Sequence, residues 1–138
     1  MVPIPSLQDQ ELIISKLDDF AKTLERHPKW TPPKPHPSLF HVWDFVKRSH
    51  YIMTEIDHLR KGEAVKYPNQ IPSLNQGADN EERARISFTD VVTRTLTINQ
   101  VVQNPEMLNA LGQGVIDFDD DVRAKSKAVQ DAIMSLPE

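Results

Sequence analysis

Apolar residues recur along this chain every three or four positions, in four blocks separated by breakers, which is the period of helices that bury one face. Ile13, Leu17, Phe20 and Leu24, widened by Ile14 and Ala21, predict a first helix. Ser6 can accept from the free amides of its first turn and Asp9 suits its positive end, while Pro28 stops it near Arg26. Leu39, Val42, Trp43, Phe45, Val46, Ile52, Met53, Ile56 and Leu59 predict a second helix from Ser38, its cap, to Lys61, with Gly62 as stop. Its apolar arc of about 200° is that of a central helix. Asp44, Lys47, Arg48, Tyr51, Glu55 and His58 form the opposite, solvated face.

The third block has the cleanest stripe: Ala84, Phe88, Val91, Thr95, Ile98 and Val102, in a helix from Asp79 or Asn80 to Gln103. The same stretch is rich in β-branched residues, and threonines 93, 95 and 97 alternate as a strand would. The stripe is longer than the alternating run and decides for helix. Asn104-Pro105-Glu106 predicts a short helix closed by Gly112 or Gly114, and Val122, Ser126, Val129, Ile133 and Leu136 predict a last helix after Asp119 or Asp120. The expected fold is all-α: an antiparallel bundle of about four helices plus a short one, a single domain over 1–138. Five prolines in 28–37 predict an extended crossover, and the breakers of 62–80 a long loop. The stripes on the third and fourth helices would also suit helix-mediated self-association.

Composition narrows the chemistry. The 138 residues include no cysteine, which removes disulfides, thiolate metal sites and cysteine nucleophiles. A net charge of −4 makes nucleic acid an improbable partner for the surface as a whole. No signal-type run and no membrane-length apolar stretch is present, so a cytoplasmic protein without membrane association is expected. Charge is uneven: residues 26–66 carry +4 and all five histidines, against −3 before and −5 after. With its aromatic residues this middle third resembles a surface for an acidic or anionic partner, and the candidate binding residues are Trp30, His41, Lys47, Arg48, Tyr51, His58, Arg60 and Lys61. The alternative is that these bases pack among acidic neighbours.

Two further patterns concern specific residues. His36 and His41 match half of a zinc spacing whose other half is missing, and neither a His-x-x-x-His nor a Glu-x-x-His pattern is expected on a helix, so no metal and no cofactor is expected. His50 and Asp57, seven residues apart on one helical face, form a candidate polar pair, either ligands or an imidazole oriented by a carboxylate. Asp117-Phe118-Asp119-Asp120-Asp121 begins like a calcium loop but lacks its glycine and its glutamate, and is read as helix capping. Lys29-x-x-Pro32-x-x-Pro35 fits the form that SH3-type grooves read, although a rigid spacer is the commoner use of such a segment.

In its first two helices the chain resembles the DinB-like helical bundles, where a second-helix histidine joins later histidines around a divalent metal. His41, in Leu39-Phe40-His41-Val42-Trp43, stands at the matching position. The resemblance covers only those helices. Residues 59–138 contain no histidine, so the later ligands have no counterpart.

No nucleophile, base and oxyanion donors assemble from these residues. The sequence therefore leads to a non-catalytic interaction protein, an adaptor, regulator or assembly factor binding a protein partner or a second copy of itself. The alternatives are a metal-dependent or acid–base enzyme using His41, His50 and Asp57 of helix two with Asp44 or Glu55, and a small phosphate or nucleic-acid binder using Lys47, Arg48, Arg60, Lys61 and Lys66.

Overall fold

The computed structural model describes residues 4–28, 30, 36–66, 79–104, 106 and 118–137. Four helices account for most of them: α1 (Leu7–Glu25), α2 (Pro37–Arg60), α3 (Asn80–Gln103) and α4 (Asp120–Met134), with no strand among the described residues. The proline motif Lys29, Pro32 and Pro35, most of the 62–80 loop and most of the expected short helix lie outside the described residues.

Helix ends follow side chains that can satisfy free first-turn amides. The Ser6 hydroxyl accepts from the Asp9 amide at 3.1 Å, the Asp79 carboxylate from that of Glu82 at 2.7 Å, and the Asp119 carboxylate from that of Val122 at 2.9 Å. Helix α2 differs from expectation at its start. Its cap is His36, whose Nδ1 accepts from the Ser38 amide at 3.1 Å, and Pro37 takes the first helical position, where a missing N–H costs nothing. Ser38 is drawn inside instead and is fully buried. At the other end Gly62 adopts φ +71°, the left-handed conformation that lets the chain leave after Lys61.

Each helix packs against two neighbours: α1 on α2 and α4, α3 on α2 and α4. Neighbours run antiparallel, as four cross-links show. Gln10 near the start of α1 bonds Asp57 near the end of α2, and Arg60 at the end of α2 reaches Glu81 at the start of α3. Gln103 ends α3 on the Arg123 carbonyl of α4, and Lys125 of α4 pairs with Asp19 of α1 at 2.7 Å.

The core lies between them. Phe20 and Phe88 are its largest members, joined by Ile13, Leu24, Met53 and Ile56. Every position of the α3 stripe is buried, as are Val122, Ser126, Val129 and Ile133 of α4. Those two stripes are spent inside the molecule, so any self-association must use another face.

The β-branched run of α3 is helical because its stripe is buried, and its exposed threonines turn their hydroxyls onto the helix itself. Thr89, Thr93 and Thr97 each donate a hydroxyl to the carbonyl four residues back, at 2.9–3.1 Å, forming a ladder on the exposed side. Thr95 points inward and has no partner for its hydroxyl. It lines a small internal void of about 10 Å³ with Ser49, Ser126 and apolar residues of all four helices.

Candidate functional site

Helix α2 holds nearly every residue that the sequence singles out, and its 24 residues span about 36 Å at 1.5 Å per residue. Its two ends are therefore different places.

At the C-terminal end, polar side chains form a closed network under the start of α1. Gln10 is fully buried, donates to Asp57 at 2.8 Å and accepts from Arg60 at 3.2 Å. Arg60 also donates to the Pro5 carbonyl and to Glu81. Lys61 pairs with Asp57 at 3.0 Å and with Glu11 at 3.7 Å, and the Asp57 hydrogen bond raises the ammonium pKa above its ordinary value. These charges face protein groups. Asp57, Arg60 and Lys61 work as a clamp joining α1, α2 and α3.

At the N-terminal end the contacts are aromatic. Trp30, from the segment after α1, lies 5.0 Å from Trp43 and 6.4 Å, stacked, from Phe40; Phe40 and Trp43 are 5.5 Å apart. These separations are those of attractive aromatic pairs. Phe40 remains 46% exposed, and the Trp43 indole N–H is buried without an acceptor. His41, the position of the DinB-like resemblance, lies beside Phe45 at 5.6 Å between ring centres. Arg94 of α3 covers Phe45 at 5.0 Å as a cation on a ring.

Between the ends, Lys47 lies over the Tyr51 ring at 5.5 Å and Arg48 pairs with Asp44 at 3.1 Å. The eight candidate binding residues thus do not form one patch. Trp30 and His41 belong to the aromatic end, Lys47, Arg48 and Tyr51 to the middle, and His58, Arg60 and Lys61 to the far end.

His50 and Asp57 make no hydrogen bond with each other; Asp57 is engaged by Gln10 and Lys61, and the His50 Nδ1 is buried without a partner. Burial first, then Lys47, holds the His50 pKa below its ordinary value, against the pull of Asp18. Asp18 is itself held low by its hydrogen bond from Lys22.

Glu55 departs most from the sequence reading. Placed above on the solvated face, it is fully buried, and neither carboxyl oxygen has a hydrogen-bond partner. One turn on, the His58 Nδ1 is also buried and unbonded, with the Glu63 carboxylate 3.8 Å away. Buried polar groups without partners are uncommon and mark either strain or a ligand. The signal was present as Glu55-Ile56-Asp57-His58, a Glu-x-x-His spacing that puts a carboxylate and an imidazole on one helical face. The expectation that the chain lacks this spacing is wrong at these four residues, as is the placing of Glu55 on the solvated face. Among the described residues no three of His, Asp or Glu converge into a group that could hold a metal ion.

Searches against family models, curated proteins and solved structures returned no match, so no relative's site maps onto these residues. Among the described residues, no helix is long and apolar enough to cross a membrane.

Proposed function

We propose that the chain is a non-catalytic interaction protein, a single antiparallel helical bundle serving as an adaptor, regulator or assembly factor in the cytoplasm, whose binding face is the aromatic end of α2. One observation supports this above the others: Trp30, Phe40 and Trp43 cluster at a partly exposed corner, with a buried indole N–H that has no acceptor. Tryptophan and other large aromatics dominate the energetics of protein interfaces, because they bury much area at little rotamer cost. The partner that suits this corner is an apolar peptide segment that stacks on the exposed part of Phe40. A phosphate or nucleic-acid partner is less suited, since acids of the same chain already occupy Arg48, Arg60 and Lys61.

The test compares wild-type and Phe40→Ala protein as baits in cell extract, after both are shown to melt cooperatively. Proteins retained by the wild type and lost from the variant are the expected result. Identical retention by the two baits rules out this corner as the binding face.

A second reading, an acid–base or metal-dependent site, rests on the unbonded oxygens of Glu55 and the unbonded Nδ1 of His58. It predicts that Zn²⁺ or Mn²⁺ raises the melting temperature of the wild type and leaves Glu55→Gln unchanged. No shift in the wild type rejects it.

A further inference from the structure

A serine and two aspartates cap α1, α3 and α4, residue types that do not titrate near neutral pH. The cap of α2 is an imidazole, the side chain whose charge changes between about pH 5 and 8. A backbone amide only donates, so the 3.1 Å bond from the Ser38 N–H fixes a lone pair on the His36 Nδ1 and puts the single proton of the ring on Nε2. A second proton goes to Nδ1, where it removes the acceptor that the bond requires. It also sets a cation at the positive end of a helix whose first turn holds no acid. The other three first turns hold Asp9, Glu81 with Glu82, and Asp120 with Asp121. Both effects have the same sign: the capped turn forms with the neutral imidazole and is lost as pH falls.

This turn carries the aromatic corner. The Phe40 amide donates to the His36 carbonyl at 2.9 Å, which closes the turn. From there the Phe40 ring reaches Trp30 at 6.4 Å and Trp43 at 5.5 Å while remaining 46% exposed. The charged and titratable groups of the elements that meet at this end of α2 are Glu25, Arg26 and His27 at the end of α1, His41 and Asp44 on α2 itself, and Arg94, the last charged residue of α3. Asp44 is held by Arg48 and Arg94 by Asp90, and among the described residues no ion pair includes His36.

We propose that His36 is a pH-sensitive cap that regulates the aromatic corner: its neutral imidazole closes the first turn of α2 and sets Phe40 against Trp30 and Trp43, and protonation opens that turn and withdraws the exposed ring. Ser38 and Leu39 of the same turn are fully buried, so the body of the helix stays in place and the change is confined to the outer side of the turn. As regulation of binding the inference rests on the reading of this corner as the binding face; as a change within the fold it does not.

The test reads the protection of the Ser38 and Phe40 amides against hydrogen exchange by NMR, at about pH 7.5 and about pH 5. It is made in the His50→Gln background, so that the buried imidazole of His50 does not contribute. Protection is expected to fall about tenfold on acidification, the combined worth of a cap and of a cation at the wrong end of the helix. His36→Asn, a cap that does not titrate, is expected to keep its protection at both pH values, and His36→Ala to lack it at both. Circular dichroism confirms that each variant is folded. Equal protection at the two pH values with His36 present overturns the inference, as does a fall that persists in His36→Asn. Retention of the proteins that need Phe40 is expected to drop with pH in the wild type and not in His36→Asn, and retention that ignores pH overturns the regulatory claim. Identical retention by wild type and Phe40→Ala at neutral pH removes the binding face and leaves the protection result standing, so the two claims fail separately.

Discussion

Buried polar groups on α2 meet two outcomes: side chains turned toward the start of α1 close into a network, while those of Trp43, Glu55 and His58 do not. At the C-terminal end Gln10 is fully buried, yet its amide bonds both Asp57 and Arg60, and Arg60 continues to a carbonyl and a second carboxylate. Toward the N-terminus Trp43 buries an indole N–H with nothing to receive it, and in the last two turns of the helix Glu55 buries a whole carboxyl group unbonded. A polar group closed into a network strengthens the fold, whereas one left open weakens it. The difference separates what holds the helices together from what is left free to meet something else.

Breaking the closed network should have the largest effect. Arg60→Ala leaves the Gln10 amide oxygen and the Pro5 carbonyl short of a partner and is expected to cost about 3 kcal/mol in denaturant unfolding, because the penalty is that of stranded buried groups. Glu55→Leu is expected to act in the opposite direction, raising stability by about 2 kcal/mol, since it removes an unbonded carboxyl from an apolar site. A loss of stability there would mean that Glu55 is bonded in solution. Thr95→Val removes the unbonded hydroxyl while keeping the side-chain shape, and should stabilise by about 1 kcal/mol.

The smallest expected effect is a pH dependence. The folded His50 pKa lies below its ordinary value of 6.5, so the unfolded chain takes up this proton first. Stability is therefore lost as pH falls below about 6.5, and His50→Gln should flatten that part of the stability curve. Asp18, held low by Lys22, withdraws its contribution only in the lower, carboxylate range, which keeps the two effects apart.

Much of the architecture was legible in the sequence because burial on helices leaves a period. The α3 stripe from Ala84 to Val102 and the caps Ser6, Asp79 and Asp119 could be read from spacing and residue type alone. The start of α2 was misplaced by two residues, since an imidazole as cap is rarer than the serine that follows it. The site was less legible for a physical reason. Periodicity assigns residues to faces, but it does not say whether a polar face meets solvent. Glu55 falls on the polar side of α2 by spacing, and only packing reveals that this part of the side is covered. The same limit hid Gln10, a polar residue within an apolar stripe, whose bonds go to residues 47 and 50 positions away.

The division between the two ends is tested most directly by unfolding Phe40→Ala and Arg60→Ala side by side in denaturant. Phe40→Ala is expected to cost about 1 kcal/mol, the worth of half-exposed aromatic contacts, against about 3 kcal/mol for Arg60→Ala. A Phe40→Ala loss equal to or larger than that of Arg60→Ala would contradict the account, because the aromatic end would then be holding the fold together and would have nothing to spare for a partner.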